Sequence, residues 1–435
     1  RRGLAAGLLS CLAAPRGALR RVLGSSAWPG ARRGAAAEPR GRAPERAAVV
    51  KRIAPSLCRG RRRRWHGVNY GNRFIPEDWM THPYNFFEGV AKHEAVQRVA
   101  LWDLSEAQVP QPRERMLAWL EATILECHFT EMRRCGVEVV RVPCGYWNWV
   151  TYPDDRGPQA PDCVDGVPVA ERLKRLHRIA RPCEYRIYFD RIFEYAARHG
   201  IRVLLDLHGL PGSQNGEIHS GACFEIGEER VPYFDWAEAN MEVAVRAIRA
   251  MARYAKGKGS VLFGIQVINE PHLESEDEGH AFLREYYERA ILAAREVLNA
   301  SVPIVLFEWI YNIENWSKDD FPESKFGRVL WDTHLYQFPE EGERWSSLEE
   351  VKKAYKWDFS QLRLFARQQG SDRILVGEFS LAGPTLGSTG SLELARWLLD
   401  EFHFATAGWL LWTFDGRRVA WSMKRQEVQW GLKWK

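Results

Sequence analysis

No apolar run in this 435-residue sequence approaches the ~20 residues of a membrane-spanning helix, which argues against an integral membrane segment. The eight cysteines form no CxxC pair and no zinc-finger spacing. There is no GxSxG elbow for a serine nucleophile and no Gly-rich phosphate loop after the first strand-like run. No HxH or HExxH gathers metal ligands, although His208, His334, Asp206 and Glu270 are of ligand type. These absences remove serine-hydrolase, kinase and NTPase chemistry and leave a metal-dependent hydrolase weakly supported.

Acid is scarce at the start. Residues 1–64 hold sixteen arginines and one lysine against Glu38 and Glu45, a net of +15. The rest carries 44 basic and 54 acidic residues, a net of −10. An acidic body does not suit a nucleic-acid binder, whose working face would be basic. The leader divides into Arg1-Arg2 with an Ala/Leu-rich stretch, the layout of a secretory signal, and a later Arg-rich part of organellar-import character. A secreted or endomembrane location is expected, with organellar import as the alternative. Asn299-Ala300-Ser301 and Asn315-Trp316-Ser317 are glycosylation sequons but occur near chance. Cys127, Cys135 and Cys144 read as small core residues, while Cys163, Cys183 and Cys223 fall in loop-like stretches where no disulfide is assigned.

From Trp65 the composition becomes that of a core-forming domain, with no internal repeat or linker up to Lys435, so 65–435 reads as one domain. Eight strand-like runs follow: 66–71, 137–144, 201–208, 261–269, 303–309, 328–336, 373–379 and 408–414. Helical spacing fills most gaps, over 117–134, 188–198, 236–255, 281–298, 348–368 and 392–402. Eight strands alternating with helices predict a (β/α)8 TIM barrel, with a doubly wound open sheet as runner-up.

A barrel puts its chemistry at the C-terminal ends of the strands. There the sequence places Arg141, His208, Asn269-Glu270-Pro271, His334, Tyr336, Glu378 and Trp412. Two glutamates on the fourth and seventh strands face one another across such a barrel. That is the layout for glycosidic cleavage, in which one carboxyl protonates the leaving oxygen and the other attacks or activates water. Arg141 is expected beside Glu378, holding it ionised, with Tyr336 donating to the same carboxylate. Glu270 is expected away from that cation and protonated. Asn269 suits a sugar 2-hydroxyl, and Trp412 a flat floor beneath the ring. Taken singly, each of these groups is more often a cap, an ion pair or a packing residue.

The order Arg-x-Pro-x-Gly-Tyr-Trp, Asp-Leu-His-Gly-Leu-Pro-Gly-Ser-Gln-Asn-Gly, Asn-Glu-Pro, His-x-Tyr, Gly-Glu-Phe-Ser and Gly-Trp-x-x-Trp-Thr resembles glycoside hydrolase family 5. Within it, the likeness is to the fungal-type exo-β-1,3-glucanases and spans about residues 65–435. The resemblance implies a retaining hydrolase of β-linked glucans that needs no cofactor and no metal. It implies Glu270 as acid/base and Glu378 as nucleophile. Arg141, His208, Asn269, His334, Tyr336 and Trp412 match the shell around the cleaved sugar, Glu77 a further sugar-binding acid, and Asn215 a loop over the site. The expected partner is a β-glucan oligo- or polysaccharide, acted on by a monomer. A β-1,4- or β-1,6-glucanase, a glycolipid β-glucosidase, and a weakly catalytic glucan-binding protein are the alternatives.

The chain departs from the subgroup in three places. Residues 69–74 read Asn-Tyr-Gly-Asn-Arg-Phe where a Leu-Gly-Gly-Trp is usual. Residues 217–221 read Glu-Ile-His-Ser-Gly where Asp-Asn-Ser-Gly is usual, and Phe414-Asp415-Gly416 stands where an aromatic-Lys pair is common. All three fall on the rim of the expected pocket.

Overall fold

A computed structural model describes residues 64–80, 86–91, 99–104, 111–151, 176–222, 225–226, 229–230, 238–272, 276–309, 311–340, 342–416, 418–430, 432 and 434. The basic leader up to residue 63, with Cys11, Cys58, Cys163 and Cys223, lies outside the described residues.

Eight parallel strands close into a barrel: β1 (Trp65–Asn69), β2 (Val139–Gly145), β3 (Arg202–Gly209), β4 (Leu262–Gln266), β5 (Ile304–Phe307), β6 (Val329–Leu335), β7 (Ile374–Phe379) and β8 (Gly408–Leu411). Closure is made by β1, whose Val68 aligns with Val140 of β2 on one side and Leu411 of β8 on the other. The strands are buried on both faces, which is why they read as near-continuous apolar runs. Around them lie α1 (Pro112–Thr123), α2 (Glu126–Arg134), α3 (Pro182–Arg198), α4 (Glu238–Lys256), α5 (Glu276–Arg295), α6 (Leu348–Gln369), α7 (Gly387–Ala405) and α8 (Met423–Trp430).

Local chemistry sets several boundaries. At the start of α6, Ser347 accepts from the Glu350 amide while the Glu350 carboxylate accepts from the Ser347 amide at 2.9 Å. Pro182 opens α3, and Tyr185, Phe189, Ile192, Phe193 and Ala196 bury one stripe of it against the barrel. The helix expected over 117–134 is two helices. The chain turns extended at Ile124 and Leu125, where the Thr123 carbonyl leaves the helical ladder to accept from the Tyr70 hydroxyl at 2.9 Å. Two cysteine expectations also change. Cys127 is exposed on α2 rather than in the core, and Cys183 is exposed on α3 rather than in a loop.

The lumen is layered. At its lower end Val139, Leu204, Phe263, Val305, Leu330, Leu375 and Leu410 form an apolar plug, one side chain from each of seven strands, with Trp65 of β1 packed against it. In a strand, residues two apart share a face. Arg141, Asp206 and Asp332 therefore stand directly above Val139, Leu204 and Leu330, and the polar site is built on that plug.

Candidate active site

Arg141 is the hub. It is fully buried, donates four side-chain hydrogen bonds and makes an ion pair with Asp206. Nε donates to Gln266 Oε1 at 2.8 Å. One terminal nitrogen donates to Asn69 Oδ1 at 2.9 Å and Glu378 Oε1 at 2.6 Å. The other donates to Asn269 Oδ1 at 2.7 Å and lies 3.1 Å from Asp206 Oδ2. Burial works against its charge, but Asp206, Glu378 and Asp332 outweigh it and hold the guanidinium more firmly protonated than usual.

Glu378 reaches the lumen through a bulge. Thr333 pairs with Val376 but His334 pairs with Glu378, so β7 carries one extra residue, Gly377. That residue has to be glycine, since a Cβ there would sit 2.1 Å from Asp332 Oδ1. The bulge aims Glu378 inward, where Arg141 takes Oε1 and the Tyr336 hydroxyl donates to Oε2 at 2.9 Å.

Glu270 stands on the opposite wall, four residues beyond β4, with φ of 42°. A non-glycine residue there costs about 1–2 kcal/mol, and such residues concentrate at functional sites. Its Oε1 is hydrogen-bonded to His334 Nδ1, and its Oε2 lies 3.3 Å from His219 Nε2.

This neighbourhood corrects one expectation. Glu270 is not remote from cations. Burial raises its pKa, but the charge and hydrogen bond of His334, then His219 and His208, bring it below the usual carboxylate range. His334 is raised to about 10, because Glu378, Asp332 and Glu270 outweigh its burial. Burial lifts Glu378 despite His334 and Arg141. In the empty site the proton shared by Glu270 and His334 therefore rests on the imidazole.

The remaining expected residues gather around this pair. His208 Nδ1 is 2.6 Å from Asp206, and its ring lies parallel to Trp412 at 5.9 Å. Burial keeps His208 neutral, and the same burial lifts Asp206 to about 7. Asn269 spends its Oδ1 on Arg141, and its Nδ2 faces His208 Nε2 at 3.4 Å. Asn215 donates to the Glu270 carbonyl at 3.1 Å. Glu77 is buried: its carboxylate accepts from Trp79 at 2.8 Å, and rings lead from Trp79 through Trp421 to Tyr336.

Sequence reading passed over Gln214, Gln266 and Asp332 as site residues, and had His219 only as part of a rim departure. Gln214 Nε2 bridges the His208 and Asn269 carbonyls at 2.7 and 2.8 Å, tying the ends of β3 and β4 together. Gln266 bridges Arg141 and Asp332. The two-residue period from the apolar plug would have found Asp332. Two of the three rim departures explain one another, since Arg73 pairs with Asp415 at 2.7 Å.

Could the cluster hold a metal? One atom each from Glu270, His334 and Glu378 lie within 4.8 Å of one another. Those atoms are already engaged with each other, Arg141 and Tyr336, and the buried guanidinium would oppose a cation. The donor set favours acid–base work.

The sequence profile of the cellulase family, glycosyl hydrolase family 5, matches residues 103–417. The chain belongs to glycosyl hydrolase family 5. Among curated relatives of this family-5 barrel, a probable glucan 1,3-beta-glucosidase A of Emericella nidulans is 27% identical over 72% of this chain and 66% of its own length. A glucan 1,3-beta-glucosidase of Blumeria graminis is 25% identical over 67% of this chain and 62% of its own. The chain thus spans slightly under two thirds of these relatives. Among solved structures, a rutinosidase from Aspergillus niger shares the fold, with a TM-score of 0.61 at 17% identity over 81% of this chain and 90% of that one. Among the described residues, no helix of the family-5 barrel is long and apolar enough to cross a membrane.

Proposed function

We propose that this chain is a retaining β-glucan hydrolase of exo-β-1,3-glucanase type, with Glu378 as nucleophile and Glu270 as acid/base. One observation carries the reading: carboxylate oxygens of Glu270 and Glu378 approach within 4.8 Å. Retaining pairs stand about 5–5.5 Å apart, whereas inverting pairs leave roughly 6.5–9.5 Å for a water. The 1,3-linkage is supported by the names of the fungal relatives.

In the first step a Glu378 oxygen attacks the anomeric carbon while Glu270, taking the proton it shares with His334, protonates the departing glycosidic oxygen. Arg141 and Tyr336 orient the attacking carboxylate, whose electron pair enters the glycosyl ester bond as the glycosidic bond's pair leaves with the protonated oxygen. Asn269 donates to the sugar 2-hydroxyl, an interaction that strengthens as oxocarbenium character develops. In the second step Glu270 takes a proton from water, which displaces Glu378 with a second inversion. Trp412 and His208 form the wall against which the sugar ring packs.

The same proposal takes residues 65–435 as one catalytic domain, monomeric and routed through the secretory or endomembrane system. Of the two sequons, Asn299 is exposed, whereas the Asn315 side chain is engaged with His280. A second reading, a glycolipid β-glucosidase, draws on the rim: Phe338 is 44% exposed and lies parallel to Tyr336 at 6.1 Å, beside Trp421. That apolar lane would receive a lipid aglycone.

Proton NMR of the newborn sugar tests the main reading. Early β-glucose from a β-1,3-gluco-oligosaccharide is expected. Early α-glucose would mean inversion and end the nucleophile assignment. Turnover of an amphiphilic glucoside alone would favour the second reading. Inertness toward β-1,3-, β-1,4- and β-1,6-linked oligomers and toward the amphiphile would leave a glucan-binding protein.

A further inference from the structure

Strand β6 turns Leu330, Asp332 and His334 into the lumen at its two-residue period. Asp332 therefore lies between the apolar plug and the imidazole that shares a proton with Glu270. Its carboxylate is buried, and Gly377 keeps its place open, since a Cβ there would collide with Oδ1.

Where the protons lie around Asp332 follows from Arg141. A guanidinium only donates, so the Gln266 oxygen that Arg141 Nε meets at 2.8 Å is the acceptor end of that amide. Gln266 Nε2 then carries the donors, and it gives them to the Ile268 carbonyl at 3.1 Å and to Asp332 Oδ2 at 2.8 Å. Oδ2 is thus an acceptor. The same oxygen lies 3.4 Å from His334 Nε2, an ion-pair distance rather than a hydrogen bond. The other ring nitrogen, Nδ1, meets Glu270 Oε1 and lies 3.6 Å from Glu378 Oε2. His334 has a carboxylate oxygen at each nitrogen, and a neutral ring would turn a lone pair toward one of them. A doubly protonated ring suits both, in keeping with its raised pKa.

We propose that Asp332 is a positioning residue for the proton that Glu270 delivers. Facing Nε2 from beneath, it keeps the His334 ring charged, so the shared proton stays in the site until the departing oxygen draws it through Glu270. This rests on Glu270 being the acid/base. The titratable groups facing His334 are Asp332 and Tyr336 from its own strand and the loop after it, Glu270 from beyond β4, Glu378 from β7, and Asp206 and His208 from β3. Glu270 and Glu378 both face Nδ1, so among the described residues Asp332 is the carboxylate that faces Nε2.

The test follows kcat/KM of the whole chain against pH in the native protein, Asp332→Asn, His334→Gln and the double variant. In Asp332→Asn the basic limb is expected to move about one to two pH units lower, a loss of roughly tenfold or more at a fixed pH on that limb, because the charge favouring the protonated pair has gone. With His334→Gln in place, the same change should leave the basic limb where it is. A uniform loss with an unmoved limb, or an equal movement without His334, overturns the assignment and leaves Asp332 as a brace for Gln266. If Asp332→Asn does not fold, nitrogen-15 NMR of His334 in Glu270→Gln decides. A ring still doubly protonated near neutral pH upholds a charge acting at Nε2, and a neutral ring overturns it. The kinetics of Glu270→Gln separate the two readings. A loss that does not depend on the leaving group across a series of β-glucosides means that the acid/base reading of Glu270 is what has failed.

Discussion

Glu378 and Glu270 stand on opposite walls of one pocket, and the walls are made of different material. Glu378 lies within a strand, aimed by a one-residue bulge and held by Arg141, which is itself anchored to β1, β3 and β4. Glu270 lies beyond its strand on left-handed backbone, held by imidazoles and by loop residues after β3. The first wall is rigid because its hub donates four buried hydrogen bonds and makes an ion pair; the second pairs its carboxylate with the His334 imidazole, with which it shares a proton. A nucleophile needs a fixed distance to the anomeric carbon, whereas an acid/base must change protonation twice per turnover.

The largest effect should come from removing the fixed carboxylate. Glu378→Gln is expected to lose on the order of 10⁴-fold in kcat, because no residual pathway forms the glycosyl ester. Azide should partly restore Glu378→Ala by attacking from the vacated face, giving the inverted glycosyl azide. Near-normal turnover by Glu378→Gln would show that the strand-built wall does not carry the nucleophile.

Arg141→Lys should cost about 10²-fold in kcat while retaining the charge. Lysine has three donors, where Arg141 donates four hydrogen bonds from a planar fork and pairs with Asp206 besides. If kcat survives this change, Glu378 is held by charge alone and the contrast between the walls weakens. On the other wall, Gln214→Ala frees the His208 and Asn269 carbonyls and should lower kcat about tenfold with little change in fold, as read by kinetics and circular dichroism.

What could be read from sequence follows the same division. The strands, their order and the inward groups Arg141, His208, His334 and Glu378 were legible, because a buried parallel strand ends visibly where polar residues begin. Gln266 and Asp332 were hidden inside apolar runs, and only the two-residue period from the lumen plug distinguishes them. His219 was legible as a departure from a pattern, but not as a neighbour of Glu270, since the fold of the loop after β3 decides where it points. The charge state of Glu270 was misread for the same reason: its imidazole neighbours come from β6 and a loop more than 45 residues away in sequence.

The smallest expected effect is at the rim, where the pairing of Arg73 with Asp415 joins the β1 and β8 loops. Arg73 is 2% exposed but Asp415 is 33% exposed, so solvent screens the pair, and a double-mutant cycle to alanine should give about 1–2 kcal/mol of coupling. Its pH dependence adds a sign. Beneath the pair, His128 is held down to about 4 by burial and then by the Arg73 charge. A histidine depressed in the fold contributes stability that is present above its ordinary value of 6.5 and is lost as pH falls toward 4. Melting temperature should therefore drop through that window. The drop should shrink in Arg73→Ala, where one cause of the depression is gone, and grow in Asp415→Ala, where the charge of Arg73 is uncompensated. Equal slopes in all three proteins would mean that burial alone sets His128, and that the rim pair is a mechanical clasp with no electrostatic reach into the core.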